Sequence, residues 1–252
     1  MITVGSLFAG IGGIELGLEC TGGFRTVWQV EIDDYARQVL AKHWPDVRRC
    51  GDVRTFPTEP VDEWGCDLIC GGFPCQDISS AGKRAGIDGE RSGLWSEYVR
   101  IIRTIRPRFV LVENVSALLA RGMDRVLGDL AEGGYDAEWH CLPAAAFGAY
   151  SIRDRVFILA YPNGYRCTQI CASHQLARQV AEKAISPWRG LQPQLERGAS
   201  GRVWAVPHAL FQRMADGFSR GMVLPLRAYG NAVVPQIAEW IGHQILAAEA
   251  TT

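Results

Sequence analysis

The amino-acid sequence predicts an α/β fold, because strand-like and helix-like segments alternate along most of the chain. Short apolar runs at residues 3–8, 25–31 and 67–70 are typical of buried strands, and helix-like segments follow the first two. Further strands are expected at residues 108–112 and 155–161, and helices at residues 14–20, 33–43, 93–106 and 235–248. Such sheets bind ligands at the carboxyl ends of their strands, so the polar and glycine-rich residues found there form the candidate site.

The composition is that of an ordinary globular protein, with 48% hydrophobic and 21% charged residues among 252. No apolar run approaches the roughly 18–20 residues that a membrane-spanning helix needs. The N-terminal segment lacks the basic flank of a signal peptide. We therefore expect a cytoplasmic protein that makes no contact with a membrane and whose 8 cysteines are reduced.

One cysteine cluster raises the alternative of a metal site. Cys167, Cys171 and His174 have a spacing that would suit zinc. A closed structural zinc site needs four ligands, and no convincing fourth ligand lies nearby in the sequence. We therefore expect no metal.

A basic segment follows the alternating part of the chain. Residues 163–204 carry six basic and only two acidic side chains, although the whole chain has a net charge of −1. Such a segment suits a phosphate backbone, and a solvated surface is the alternative. Regular patterning fades after residue 162 and returns after residue 227. The sequence therefore predicts one main domain, formed by residues 1–162 and 228–252, and a small irregular region at residues 163–227.

A glycine-rich turn follows the first predicted strand. Residues 8–13 read Phe-Ala-Gly-Ile-Gly-Gly and lead directly into a helix. Glycines allow a tight turn and a close approach of the backbone to a ligand, and the free amides of a helix N-terminus can bind an anion. The residues do not match the G-x-G-x-x-G pattern, so a plain tight turn is the alternative.

Two acidic residues follow the next predicted strands. Glu31 ends the second strand about 20 residues after the glycines, where a carboxylate can accept hydrogen bonds from both ribose hydroxyls. Asp52 ends the next candidate strand and could accept a hydrogen bond from an adenine amino group. With the glycine turn, these acids suit an adenosyl ligand. Either acid alone could instead be a helix N-cap or a turn residue.

A cysteine loop follows the strand at residues 67–70. Residues 71–79 read Gly-Gly-Phe-Pro-Cys-Gln-Asp-Ile-Ser, in which Pro74 stiffens the backbone before Cys75. The Cys75 thiolate would be a strong nucleophile beside the expected ligand site, whereas an inert buried thiol is the alternative.

A cationic stretch comes next, at residues 80–92. It is rich in glycine and carries the basic residues Lys83, Arg84 and Arg91. Such a stretch could close over a polynucleotide and contact its phosphates, and an ordinary surface loop is the alternative.

Five segments resemble the motifs of the cytosine-5 DNA methyltransferase family, in the same order and at similar spacing. They are residues 8–13, 71–79 (the Pro-Cys motif), 113–115 (Glu-Asn-Val), 153–155 (the two arginines) and 230–235 (the last motif). The resemblance extends over nearly the whole chain, apart from about residues 163–210. It implies a Rossmann-like, S-adenosylmethionine-dependent methyltransferase sheet, with residues 163–227 as a small target-recognition region. Ser151 departs from the family, which commonly has Gln or His there, and this puts one hydrogen bond in doubt.

The resemblance implies methyl transfer from S-adenosyl-L-methionine to C5 of cytosine in double-stranded DNA. Cys75 would attack C6 of the ring, Glu113 would hold N3 and the 4-amino group, and Arg155 would hold O2. Arg153 would order the Cys75 loop. Without the resemblance, Glu113 could be a strand-end cap, and both arginines could be surface salt-bridge partners.

The resemblance also implies two sets of binding residues. Those of the cofactor would be Phe8, Gly10, Ile11, Gly12, Gly13, Glu31, Ile32, Asp52, Val53, Pro74, Asn231 and Ala232. The target base must leave the duplex before it can react. The DNA-binding residues would be Gln76, Ser79, Lys83, Arg84 and Arg91.

Two alternatives remain beside this interpretation. The first is a related enzyme that methylates cytosine in transfer RNA. The second is a DNA-binding relative that has lost catalysis, although Cys75, Glu113, Arg153 and Arg155 are all present. A monomer is expected, and the sequence leaves open which DNA site is recognised and whether a separate restriction nuclease accompanies the protein.

Overall fold

The computed structural model describes residues 1–58, 60–74, 94–147, 154–165, 195–197, 203–205 and 232–250. Its strands are β1 (Ile2–Leu7), β2 (Phe24–Val30), β3 (Arg48–Cys50), β4 (Leu68–Gly71), β5 (Phe109–Val115), β6 (Tyr135–Pro143), β7 (Asp154–Pro162), β8 (Leu195–Arg197) and β9 (Val203–Ala205). Its α-helices are α1 (Gly13–Cys20), α2 (Asp34–His43), α3 (Leu94–Ile105), α4 (Leu118–Arg121), α5 (Met123–Glu132) and α6 (Pro235–Glu249). Among these described helices, none has the length and apolarity to cross a membrane.

Seven strands form one sheet in the order β3-β2-β1-β4-β5-β7-β6. The strands from β3 to β5 are parallel, whereas β7 runs antiparallel to β5 and to β6. The chain moves outward from β1 to β3 and then returns to the other side of β1 with β4. This reversal opens a crevice at the carboxyl ends of β1 and β4, where open α/β sheets bind their ligands. The predicted α/β fold is confirmed.

Helices cover both faces of this sheet and divide the core in two. On one face, α3 and α5 bury Trp95, Tyr98 and Val126 against the strands. On the other face, α1 and α6 bury Leu18 and Ile241. Because both faces are covered, the central strands are apolar on both sides, as in parallel sheets generally.

The helices α1 and α6 approach each other through glycine. A Cβ atom on Gly17 would lie 2.1 Å from the carbonyl oxygen of Pro235, and one on Gly13 would lie 2.5 Å from that of Val233. Larger residues at either position would push the backbones apart. The absence of these side chains brings residues 232–233, which precede α6, beside the glycine turn.

The structure contains elements that the sequence did not predict. β5 continues through Val115, beyond its predicted end at residue 112, because Glu113, Asn114 and Val115 pair with β7. The edge strand β6 is largely half-exposed, so it lacks the clean alternation that marks a strand with one buried face. The helices α4 and α5 fill the connection from β5 to β6.

Little of the predicted irregular region is described. Within residues 163–227, β8 and β9 pair antiparallel as a two-stranded sheet. The Cys167, Cys171 and His174 cluster lies outside the described residues, as does Ser151. The division of the chain at residues 162 and 228 therefore stays a prediction.

Candidate active site

A cleft of about 580 Å³ lies at the carboxyl ends of β1, β2, β4 and β5. This volume is within the range of sites that bind cofactors and other small molecules. The predicted site residues that line it are Phe8, Gly10, Ile11, Gly13, Glu31, Ile32, Pro74, Glu113, Arg155 and Ala232. The cleft thus collects residues from every motif that the structure describes.

The glycine turn joins β1 to α1 through several left-handed residues. Phe8, Gly10 and Gly12 have φ angles of 53°, 57° and 87°. Glycine adopts this conformation freely, whereas Phe8 is strained there, as residues beside functional sites often are. The Ala9 amide donates to the Val30 carbonyl at 3.1 Å, which ties the turn to the end of β2. The backbone of the turn consequently faces the cleft.

Glu31 is held in place by backbone amides. The Gly10 amide donates to Oε2 of Glu31 at 2.7 Å, and the Asp33 amide donates to Oε1 at 2.8 Å. A carboxylate has about four acceptor positions, so both oxygens can still accept from a ligand. The next residue, Ile32, is 67% exposed and adds an apolar surface to the cleft.

Glu113 and Arg155 form an ion pair across two antiparallel strands. Glu113 lies opposite Phe157, and Arg155 is two residues before Phe157, so both side chains project from the same face of the sheet. The Nε atom of Arg155 lies 2.9 Å from Oε1 of Glu113. The Arg155 side chain is 22% exposed and the Glu113 side chain is 12% exposed, so the pair is largely shielded from water yet open to the cleft.

The loop that leaves β4 is fixed from β5. The Asn114 side-chain amide donates to the Phe73 carbonyl at 3.1 Å, immediately before Pro74. A Cβ atom on Gly72 would lie 2.4 Å from Oε2 of Glu113, so only glycine lets the carboxylate come this close. These contacts fix the chain at Gly72 and Phe73, immediately before Pro74.

Several predicted site residues lie outside the described part of the chain. They are Cys75, Gln76, Ser79, Lys83, Arg84, Arg91, Arg153 and Asn231. Their predicted roles rest on the motif resemblance. Among them, Cys75, Arg153 and Asn231 are within two residues of Pro74, Arg155 and Ala232, which line the cleft.

Three predicted cofactor residues lie apart from the lining of the cleft. Asp52 caps the 3₁₀ helix Val53–Thr55 by accepting a hydrogen bond from the Arg54 amide at 2.9 Å, which was the alternative stated for it. The Val53 side chain is buried in the core. At Gly12 a Cβ atom would meet the ring of Trp44 at 2.4 Å, because this glycine faces α2 rather than the cleft.

The motifs that meet in this cleft belong to a known family. The sequence model described as C-5 cytosine-specific DNA methylase matches residues 2–214. The chain belongs to this family. The match includes Glu31, Glu113 and Arg155, and it confirms the resemblance found from the motifs.

Individual relatives of this chain are also found. Type II methyltransferase M2.BsuMI of Bacillus subtilis is 39% identical over 163 residues, which are 62% of this chain and 41% of that protein. Type II methyltransferase M.Bsp6I of a Bacillus species is 34% identical over 169 residues, which are 65% of this chain and 53% of that protein. The chain therefore spans only about half the length of these relatives or less.

A solved structure shares the fold. A mutant of Spodoptera frugiperda DNMT2 superposes with a TM-score of 0.56 at 20% identity, and the alignment covers 67% of this chain and 52% of that one. At this identity the likeness concerns the architecture alone, which is the Rossmann-like sheet described above.

Sequence reasoning missed two polar residues of this cleft. Asn114 was part of a recognised motif, but only the fold shows that its amide reaches the Phe73 carbonyl. Glu15 lines the cleft although it is 1% exposed, and burial raises its pKa from 4.5 to about 7. An acid among the apolar residues of α1 was the signal that could have revealed it.

Proposed function

We propose that this protein transfers a methyl group from S-adenosylmethionine to C5 of cytosine in double-stranded DNA. The observation that carries the proposal is the meeting of Glu113 and Arg155 in the same cleft as the glycine turn and Glu31. A cofactor site and a pair of groups suited to a pyrimidine ring are thereby adjacent. Family membership supports the same reaction.

The described residues fit S-adenosylmethionine. Glu31 presents carboxylate oxygens already oriented by two backbone amides, as a ribose with two hydroxyls requires. The exposed Ile32 side chain offers an apolar surface for the adenine ring, and the amides of residues 10–13 could receive a carboxylate. When bound, S-adenosylmethionine would supply the methyl group that C5 receives. Phe8, Ile11 and Ala232 would enclose it from the remaining sides.

The cytosine ring needs activation, because its C5 atom is a poor nucleophile. In the proposed reaction the Cys75 thiolate forms a bond to C6, and the ring electrons shift towards C5. After C5 has gained the methyl group, its proton leaves to a base, the C6–sulfur bond breaks and the thiolate returns. The Asn114 contact with Phe73 would orient the chain that carries Cys75, and Arg153 would help to order the same loop.

Glu113 and Arg155 would bind the polar edge of the same ring. The Arg155 guanidinium would donate to O2, and Glu113 would accept from the 4-amino group. A transient proton on Glu113, shared with N3, would neutralise the charge that develops when the thiol adds at C6. An ion pair with one member on each of two paired strands keeps these groups at a fixed separation, which is the condition for such stabilisation.

The proposal assigns DNA recognition to two segments. Gln76, Ser79, Lys83, Arg84 and Arg91 would contact the flipped base and the phosphates near it. Residues 163–227 would form a small target-recognition region, in keeping with their excess of basic residues. Residues 1–162 and 228–252 would hold the cofactor and perform catalysis.

Incubation with tritiated S-adenosylmethionine tests the reaction directly. Mixed-sequence duplex DNA and transfer RNA would be offered separately, and the labelled nucleoside identified by chromatography. Label in 5-methyldeoxycytidine is the expected result. Label only in transfer RNA would replace the DNA substrate, and no label in either nucleic acid would contradict the proposal.

The covalent step is tested with a matched pair of cysteine variants. Cys75→Ser should lose methyl transfer and lose the ability to trap duplex DNA containing 5-fluorocytosine. Cys141→Ser is the control, because Cys141 is an exposed free thiol on β6 that should not affect either measurement. A Cys75→Ser protein that keeps full methyl transfer would refute the covalent mechanism.

A further inference from the structure

Arg37, on α2, folds back over the end of β2. Its Nη1 atom donates to the carbonyl oxygens of Glu31 and Ile32, each at 3.1 Å. Its Nη2 atom pairs with the Asp34 carboxylate. Two hydrogen bonds to consecutive carbonyls distinguish Arg37 from an ordinary helix arginine, which pairs only with an acid one turn away on its own helix.

The two carbonyls lie at a point where the sheet no longer fixes the chain. β2 ends at Val30, and the Glu31 amide makes a last bond to the Cys50 carbonyl at 3.0 Å. Residues 31–32 then turn into α2, whose N-cap is Asp33. The guanidinium therefore supplies hydrogen bonds to the two residues that carry the carboxylate and the apolar surface of the cleft.

The same guanidinium also reaches the end of β3. A Cβ atom on Gly51 would lie only 3.0 Å from Nη1 of Arg37, so the absence of a side chain there leaves room for the group. Arg37 thus lies between the chain segments that follow β2 and β3. A shorter or more flexible side chain could not make the same contacts, because guanidinium donors have a fixed planar geometry.

We infer that Arg37 is a positioning residue for the adenosyl half of the cofactor. It acts through Glu31 and Ile32, whose backbone it fixes relative to β3, and it does not touch the reacting atoms. The inference rests on the proposed function, since it takes the cleft to be an S-adenosylmethionine site. It names which residue prepares that site before a ligand arrives.

Titration calorimetry of S-adenosylhomocysteine binding to the whole protein tests the inference. Arg37→Ala should weaken binding about tenfold, as expected for the loss of charge-assisted hydrogen bonds. Arg37→Lys should be intermediate, and it also carries the test if Arg37→Ala does not fold. In methyl-transfer assays, KM for S-adenosylmethionine should rise while kcat stays within about twofold.

Arg49 provides a matched control. Its Nη2 atom also donates to two carbonyls, those of Leu40 and Trp44, but at the opposite end of α2, and none of these three residues lines the cleft. Arg49→Ala should leave the affinity within about twofold even if it lowers the melting temperature as much as Arg37→Ala does. Equal losses of affinity in the two variants would show a general effect on α2 and would overturn the inference.

A double-mutant cycle decides whether Arg37 acts through Glu31. In a Glu31→Gln background, Arg37→Ala should cost less than about threefold in affinity, because coupled residues are not additive. A full tenfold loss in that background would overturn the inference. If the native protein binds no S-adenosylhomocysteine, the proposed function fails with it, whereas native binding that Arg37→Ala leaves unchanged refutes the role of Arg37 alone.

Discussion

The two sides of the cleft hold their acidic groups in different ways. On the side proposed to bind the cofactor (the cofactor side), formed by the ends of β1 and β2, Glu31 is fixed by the backbone amides of Gly10 and Asp33. On the side proposed to bind the base (the cytosine side), formed by the ends of β4, β5 and β7, Glu113 is fixed by the side chain of Arg155. Amides give a carboxylate a permanent orientation. A charged side chain also balances the charge of the carboxylate that it holds.

The largest expected effect is on the cytosine side. Glu113→Gln keeps the shape of the side chain but removes its charge and its exchangeable proton. Methyl transfer at saturating substrate should fall by about 10²–10⁴-fold, the usual contribution of a general acid or base. Affinity for S-adenosylhomocysteine should stay within about twofold, because this binding uses the other side of the cleft. Single-turnover assays and calorimetry would measure the two quantities.

If Glu113→Gln lost both cofactor affinity and rate, the two sides of the cleft would not act separately. That result would mean that Glu113 supports the whole cleft through Gly72, with which its carboxylate is in close contact. Circular dichroism would verify that the variant retains its fold.

The same comparison explains what could be predicted from the sequence. The glycine turn and Glu31 lie at the ends of the first two strands of the chain, so the apolar runs and the glycines together predicted that both line one cleft. The pairing of Glu113 with Arg155 depends on β7 entering the sheet antiparallel to β5 and in one register. Nothing in the local sequence fixes that register, because it follows from strand pairing between distant segments. The motif resemblance pointed to Glu113 and Arg155 as site residues, but it did not predict that they form an ion pair.

Asp52 shows the limit of reasoning from strand ends. Its position after β3 suggested a ligand contact, and the side chain also caps the following 3₁₀ helix, so the ligand contact stays a prediction. Capping and ligand binding use the same residue types at the same positions, so the pattern cannot separate them.

Glu15 is a third acid at the cleft. Among the described residues, it has neither the pair of amides from other residues that holds Glu31 nor a charged partner like that of Glu113. Its partners are Ser6 on β1 and Gln29 on β2, both neutral, while Glu19 on α1 and the Cys70 thiol on β4 are the titratable groups that interact with it. Burial therefore raises its pKa from 4.5 to about 7. Between these values the folded protein holds a proton that the unfolded chain releases, so this group makes the protein less stable as pH rises from about 4.5 to 7.

Glu15→Gln should remove this pH dependence. Relative to the native protein, its free energy of unfolding should rise by about 3 kcal/mol between pH 4.5 and pH 8, from the size of the pKa difference. Urea titrations at the two pH values measure the change, and contributions from other groups cancel in the comparison. A difference between variant and native protein that does not change with pH would show that Glu15 titrates normally.

The next effect in size concerns the cofactor side. Glu31→Gln keeps one oxygen acceptor but loses the charge and replaces the other oxygen with a donor, which faces the Gly10 or Asp33 amide. KM for S-adenosylmethionine should rise about 10- to 100-fold, the cost of losing hydrogen bonds to a charged group. The value of kcat should change little. A large fall in kcat with an unchanged KM would reverse the roles assigned to the two sides.

The smallest expected effect comes from substituting alanine for either of two glycines in the left-handed conformation. Gly10 and Gly22 have φ angles of 57° and 77°, and a Cβ atom on either would meet nothing within 4 Å. Alanine at either position should therefore cost about 1 kcal/mol of stability through its backbone conformation alone. Of these two glycines, only Gly10 has an amide that donates to Glu31, so only Gly10→Ala should also weaken S-adenosylhomocysteine binding. Equal stability losses with unequal affinity losses would show that the cofactor side depends on backbone geometry, whereas unchanged affinity in both variants would mean that Glu31 keeps its orientation without the glycine turn.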